Sequence, residues 1–347
     1  MARKCRPALA VILVALACAG AQAGPLGERI RERRQQMRQA AADDGSAAAD
    51  IGAEFGGSLS CEQWRRKLDR LQQLAPGRGA GPAPDQRDVA YGPGPLEKLD
   101  VFLPKARGGQ PAPIILMVHG GGWCAGDKQA ASVTSNKVAR WTAKGFVFAS
   151  VDYPMVADGA DALAQANSVA RAAAYVQAQA ARWGGDPGRL ILIGHSAGAH
   201  LVSLVNADAD IRRASRMRPI LGTVSLDAGA LDVVAQMPHV YPFLRTRYRE
   251  AFGDSERGWV AASPYHRLDT TAAPWLGVCS TERKDDSCGQ ARAYAEKSNG
   301  LGIRAAVLPE DKNHGAINKE LGLPGSYTAA VETFMSGLDP VVAALLR

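Results

Sequence analysis

The sequence predicts an α/β fold, a mostly parallel central sheet with helices on both faces. Two observations carry this. First, apolar runs such as Ile114–Val118, Phe146–Val151 and Leu190–Ile193 are too short for helices and are continuous rather than alternating, the pattern of strands buried on both faces. Second, longer helical stretches separate these runs, and interleaved strands and helices imply parallel strands joined by crossovers. In such sheets ligands bind at the carboxyl ends of the strands, so chemistry is sought immediately after each one.

The elements follow in order from about residue 86. Leu99–Leu103 and Ile114–Val118 read as strands. Val138–Lys144 reads as the end of a helix closed by Gly145, and Phe146–Val151 as a buried strand. Ala162–Trp183 is a long Ala-rich helix with Leu163, Ala166, Ala170, Ala173 and Val176 along one stripe, closed by Gly184-Gly185. Leu190–Ile193 is a strand and Ala197–Val205 a helix. Leu221–Leu226 and Trp275–Cys279 are strands, Ala291–Asn299 a helix, Ala305–Leu308 a strand and Tyr327–Leu338 a closing helix. Residues 231–270 read as irregular.

Upstream of this block the organisation differs. Arg3-Lys4-Cys5-Arg6, the apolar run Ala8–Ala19 and Ala21-Gln22-Ala23 have the three parts of a secretory signal over residues 1–23, and the apolar run is too short to span a bilayer comfortably. Lipidation at Cys18 is the less favoured alternative, because Ala15 stands where such signals carry Leu. Residues 24–85 read as a basic arm, a short amphipathic helix (Ser60–Leu74, with Trp64 and Leu68 near one face) and a Gly/Pro linker. Residues 86–347 form the expected catalytic domain. With 46% apolar and 22% charged residues the composition is that of a globular protein. The formal charge of +7 accompanies no nucleic-acid motif, so no nucleic-acid partner is expected.

Cleavage of the signal would leave Cys61, Cys124, Cys279 and Cys288, an even number in an oxidising compartment. Of three possible connectivities, the local pair Cys279–Cys288 is preferred, leaving Cys61 with Cys124. Their spacing is not a zinc signature.

Gly194-His195-Ser196-Ala197-Gly198 follows a strand and opens a helix, the setting required of a nucleophile elbow. The helix N-terminus supplies positive potential and free N–H groups where an oxyanion would form. His119-Gly120-Gly121-Gly122-Trp123 follows the strand Ile114–Val118, and such a loop brings backbone N–H groups to a developing oxyanion. Gly121, Gly122 and Ala197 are the expected donors. A phosphate loop is excluded, because Gly126 precedes Asp127-Lys128 rather than Lys-Ser/Thr.

A serine hydroxyl needs a base. Of six histidines, His119 belongs to the glycine loop, His195 and His200 flank the nucleophile, and His239 and His266 lie in the irregular stretch. His314, in Asn313-His314-Gly315, follows a late strand and fits the order serine, acid, histidine. The acid is expected after Trp275–Cys279, with Asp286 preferred, Asp285 second, and Glu282 too close to the strand end.

With these motifs the chain resembles the HGGG-type carboxylesterases of the α/β-hydrolase superfamily, in particular the hormone-sensitive-lipase-like and bacterial feruloyl-esterase-like groups. The likeness runs from about Tyr91 to the C-terminus through Leu99-Asp100-Val101, His119–Trp123, Gly194–His200, Ala262-Ser263-Pro264 and Asn313-His314-Gly315. It implies hydrolysis of small or aryl acyl esters through an acyl-serine, without metal or organic cofactor; the expected signal makes the protein secreted or periplasmic. An amidase or arylformamidase with the same triad, or a non-catalytic binding protein of this fold, are the alternatives. The sequence departs from the family at Pro154, where many relatives carry Arg, and at the acid loop, which lacks the usual Gly-x-x-Asp pattern. Acyl and alcohol specificity and oligomeric state are not set by the sequence.

Overall fold

The computed structural model describes residues 58–74, 80–105 and 109–347. The expected signal 1–23, the Cys18 alternative and the basic arm lie outside the described residues, as does the linker before residue 80. Eight strands form one sheet: β1 (Gln86–Ala90), β2 (Lys98–Phe102), β3 (Ala112–Val118), β4 (Val147–Val151), β5 (Gly185–His195), β6 (Gly222–Leu226), β7 (Trp275–Ser280) and β8 (Ala305–Glu310). Their spatial order is β1-β2-β4-β3-β5-β6-β7-β8. β1 and β2 run antiparallel, as do β2 and β4, and every later pairing is parallel.

The apolar runs become β3, β4, β5 and β6, whose cores are wholly buried because helices cover both faces. The register aligns Val118 of β3 with Gly194 of β5, and His195 of β5 with Leu226 of β6. The ends of three strands therefore converge at one edge. On one face α3 (Ala162–Gln179) packs its stripe of Ala166, Val169, Ala170, Ala173 and Val176 against Ile114, Leu116, Leu190 and Leu192. Asp161 caps this helix by accepting from the Ala164 N–H at 2.8 Å. The opposite face is filled by Trp141 of α2 (Ala131–Ala143), Phe148, Ile193, Val331 and Met335.

Two elements differ from expectation. β1 is an exposed edge strand whose residues carry no apolar alternation. The stretch read as irregular contains several short helices, among them the charged helix Arg245–Phe252.

The helix α1 (Cys61–Leu74) lies against the sheet domain through Trp64, which is buried with Cys61, Cys124 and Ala125. Both disulfides have the expected partners: Cys61 with Cys124 and Cys279 with Cys288. The first spans 63 residues, and in the chain-entropy account a loop of that length stabilises by about 4 kcal/mol. A Cys61→Ser/Cys124→Ser double variant is expected to lose stability of about that size in urea unfolding, with reductant adding little further for this bond. A variant as stable as the parent would show that the non-covalent contacts, Trp64 packing and the Arg65–Asp158 ion pair, hold the helix without the bond.

Candidate active site

The site assembles from the strand ends. β5 ends at His195, and Ser196 turns the chain sharply with φ 56° and ψ −116°, a conformation costly for a non-glycine residue. The Ser196 N–H donates to the Leu226 carbonyl at 2.9 Å, which ties the turn to the neighbouring strand end. The helix α4 (Ala197–Ala207) begins directly after it. Gly198 must be glycine: a Cβ there would lie 2.2 Å from the Val118 carbonyl oxygen. Gly120 is constrained likewise, since a Cβ would stand 2.9 Å from the Cβ of Ser196. The two motifs thus interlock across β3 and β5.

The glycine loop is held from behind. Tyr153 donates its hydroxyl to the His119 carbonyl at 2.8 Å, and the two rings stack at 4.5 Å. Gly121 and Gly122 have positive φ, 120° and 62°, so the loop folds back in a way that side chains would resist. Trp123 donates from Nε1 to His200 Nδ1 at 3.2 Å, and His200 Nε2 in turn faces the Ala262 carbonyl at 2.8 Å. Burial lowers the His200 pKa to about 4, so this ring is neutral, and the network assigns its proton to Nε2. It supports the loop rather than exchanging protons.

His314 opens the short helix His314–Glu320, which Asn313 caps by accepting from the Ala316 N–H at 2.8 Å. The Ser280 hydroxyl donates to the Lys312 carbonyl at 2.7 Å and ties this loop to the end of β7. Buried His195 places Nε2 3.0 Å from the His314 carbonyl, with the two rings 4.6 Å apart. Burial, reinforced by His314, depresses the His195 pKa, so it remains neutral beside that ring.

The carboxylate that meets His314 belongs to Asp227. Its Oδ2 accepts from His314 Nδ1 at 2.5 Å, and its Oδ1 from the Ser280 N–H at 2.9 Å. Arg283 Nη1 lies 3.2 Å from the same Oδ2. Asp227 is fully buried, and burial alone would raise its pKa. The charge of Arg283 and the hydrogen bond from His314 overcome that and hold the carboxyl far below the usual carboxylate range. It is therefore ionised, accepting rather than donating.

This corrects the expected acid. Asp286 adopts a left-handed backbone and caps the helix Ser287–Gly300, accepting from the Gly289 N–H at 3.0 Å, with its side chain in solvent. The Asp285 side chain is buried, but it pairs with two of the Arg283 donors, Nε and Nη2, and reaches Asp227 only through that guanidinium. Glu282 borders the cavity without touching His314. The missed residue had a signal: Asp227 follows the buried strand Gly222–Leu226 directly, the position the strand-end rule favours, and it keeps the order serine, acid, histidine.

Ser196, His314, Gly122 and Ala197 all border one cavity of about 450 Å³, a size that suits a small organic ligand. Trp123, Phe243, Leu244 and Tyr248 supply its apolar wall; Arg247, Arg283, Lys284 and Asp285 add charge. A serine on an elbow, the glycine loop at Gly122 and a carboxylate-bonded imidazole meet at the end of a mostly parallel sheet, and Gly121 does not border the cavity.

The chain has the α/β-hydrolase fold. Residues 99–225 of this hydrolase-fold chain match the family model BD-FAE, which takes in both the glycine loop and the elbow. Esterase LipC of Mycobacterium tuberculosis is 30% identical over 231 residues, covering 61% of this chain and 54% of that protein. A probable isoprenylcysteine alpha-carbonyl methylesterase, ICMEL1 of Arabidopsis thaliana, is 33% identical over 120 residues, covering 34% of this chain and 24% of its own. The chain thus spans about half or less of the length of these curated relatives. In three dimensions esterase B from Lactobacillus rhamnosis superposes with a TM-score of 0.60 at 14% identity, over 80% of this chain and 92% of the other. That likeness is one of fold.

Proposed function

We propose that the protein is a serine carboxylesterase acting on small or aryl acyl esters. The observation that carries this is the His314–Asp227 contact at 2.5 Å in the cavity that Ser196 and the glycine loop also border. In this reading Ser196 Oγ attacks the ester carbonyl while His314 Nε2 takes its proton. Asp227 holds the other ring proton on Nδ1 and stabilises the imidazolium. The carbonyl oxygen becomes an oxyanion facing the N–H groups of Gly121, Gly122 and Ala197, where each donor is worth roughly 3 kcal/mol in the transition state. Collapse expels the alcohol, protonated by His314. Water, deprotonated by the same ring, then releases the acid and restores Ser196.

Full-length protein is expected to hydrolyse p-nitrophenyl acetate and butyrate, and a fluorophosphonate probe to label Ser196. An N-formyl aromatic amine turned over faster than the aryl esters would move the assignment to an arylformamidase. Absence of both turnover and labelling in folded protein would leave only a binding role. The two disulfides support an oxidising, extracytoplasmic compartment, in line with the expected leader. Among the described residues no helix is long and apolar enough to cross a membrane.

A further inference from the structure

The cavity wall carries a charge that its neighbours do not offset. Arg283 is matched by Asp227 and Asp285. Arg247, on α5 (Arg245–Phe252), is only 2% exposed and has no such partner among the described residues. Its Nη2 makes one long contact, 3.5 Å, to the Phe243 carbonyl, while Nε and Nη1 meet no acceptor among the described residues. The guanidinium lies over the Trp64 ring, 5.1 Å from its centroid. Glu250, the acid whose field reaches it, forms no ion pair with it among the described residues and instead accepts from the Cys61 N–H at 2.6 Å. Burial lowers the Arg247 pKa to about 10, which leaves it charged at neutral pH.

Buried cations are ordinarily paired, because a desolvated charge without a counter-charge is costly. Position gives the missing partner a place. Nη1 stands 3.8 Å from the point a Cβ on Gly122 would occupy, and Gly122 borders the cavity together with Ser196. The aromatic surroundings, Trp64 behind and Trp123 and Tyr248 along the wall, keep the local dielectric low, which strengthens a charge–charge contact.

We propose that Arg247 binds a carboxylate carried by the ester substrate, close to the scissile bond, and so selects anionic esters over neutral ones. This rests on the esterase reading above. The carboxylate could sit on the acyl or on the alcohol portion, and the same chemistry recognises either.

Matched substrate pairs test it. One pair places the charge on the acyl side: 4-nitrophenyl hydrogen adipate against 4-nitrophenyl heptanoate. The other places it on the alcohol side: 3-carboxyphenyl butyrate against 3-carbamoylphenyl butyrate. A charged hydrogen bond is expected to favour the anionic member of one pair by about 10- to 100-fold in kcat/KM, and that pair identifies the side. In Arg247→Met the ratio falls to about one or below, whatever happens to the neutral member, and Arg247→Lys keeps part of it. If the Met variant does not accumulate folded, Arg247→Gln reads the same ratio. The inference is overturned if wild type favours neither anionic ester, or if the preference survives loss of the guanidinium. Turnover of neutral esters without anionic preference sinks this inference alone. No turnover of any ester and no labelling of Ser196 sinks the esterase reading instead.

Discussion

Ser196→Ala is expected to lower kcat on p-nitrophenyl butyrate by about a millionfold, the scale seen when the nucleophile of a serine hydrolase is removed. The substitution deletes one oxygen and little else. Ser196 takes part in its turn through its backbone, by the N–H bond to Leu226 and by the start of α4, and alanine preserves both. The backbone at φ 56° is as unfavourable for alanine as for serine, so stability is expected to change little. Activity and stability therefore separate cleanly: ester turnover and fluorophosphonate labelling vanish while the melting curve stays in place. Normal turnover by the alanine variant would reject Ser196 as nucleophile.

Asp227→Asn is expected to cost about 10⁴-fold in kcat, because an amide at this position favours the wrong imidazole tautomer and cannot stabilise the imidazolium. It also removes one of the two carboxylates beside Arg283, so some loss of stability accompanies it, limited by the pairing with Asp285. The comparison that gives the result its meaning is Asp286→Asn. That side chain caps an exposed helix end, and its kcat/KM is expected to stay within about twofold of the parent. If Asp286→Asn were the crippled variant and Asp227→Asn the active one, the acid assignment would reverse.

The contrast between these two aspartates shows what the sequence could convey. Strands buried on both faces announce themselves through continuous apolar runs, and β3 to β6 were legible for that reason. Ser196 and the glycine loop were legible because sharp turns and close backbone approaches demand particular small residues in a fixed order. An acid has no comparable local requirement. What puts Asp227 against His314 is that β6 lies beside both β5 and β7 in the sheet, so its end falls between the elbow and the histidine loop. Asp285 and Asp286 were attractive because they sit in a loop of three acids, but one is used to hold Arg283 and the other to cap a helix. The helix Arg245–Phe252 escaped notice for a related reason: its polar residues suggest a solvated loop, and Arg247 is buried only through tertiary contacts with Trp64 and the cavity.

The bond between Cys61 and Cys124 has a practical consequence for anyone preparing the protein. Cys124 lies two residues beyond Gly122, so the N-terminal helix is fastened to the rim of the chemistry rather than to a remote surface. Trp64, on that helix, is what Arg247 rests upon. Material produced in a reducing cytosol would carry the same sequence, yet the floor beneath Arg247 would lose its covalent tie and be held by non-covalent contacts, among them the Arg65–Asp158 ion pair. Preparations from cytosolic and exported expression are thus two different reagents, and substrate preferences measured on one should not be transferred to the other.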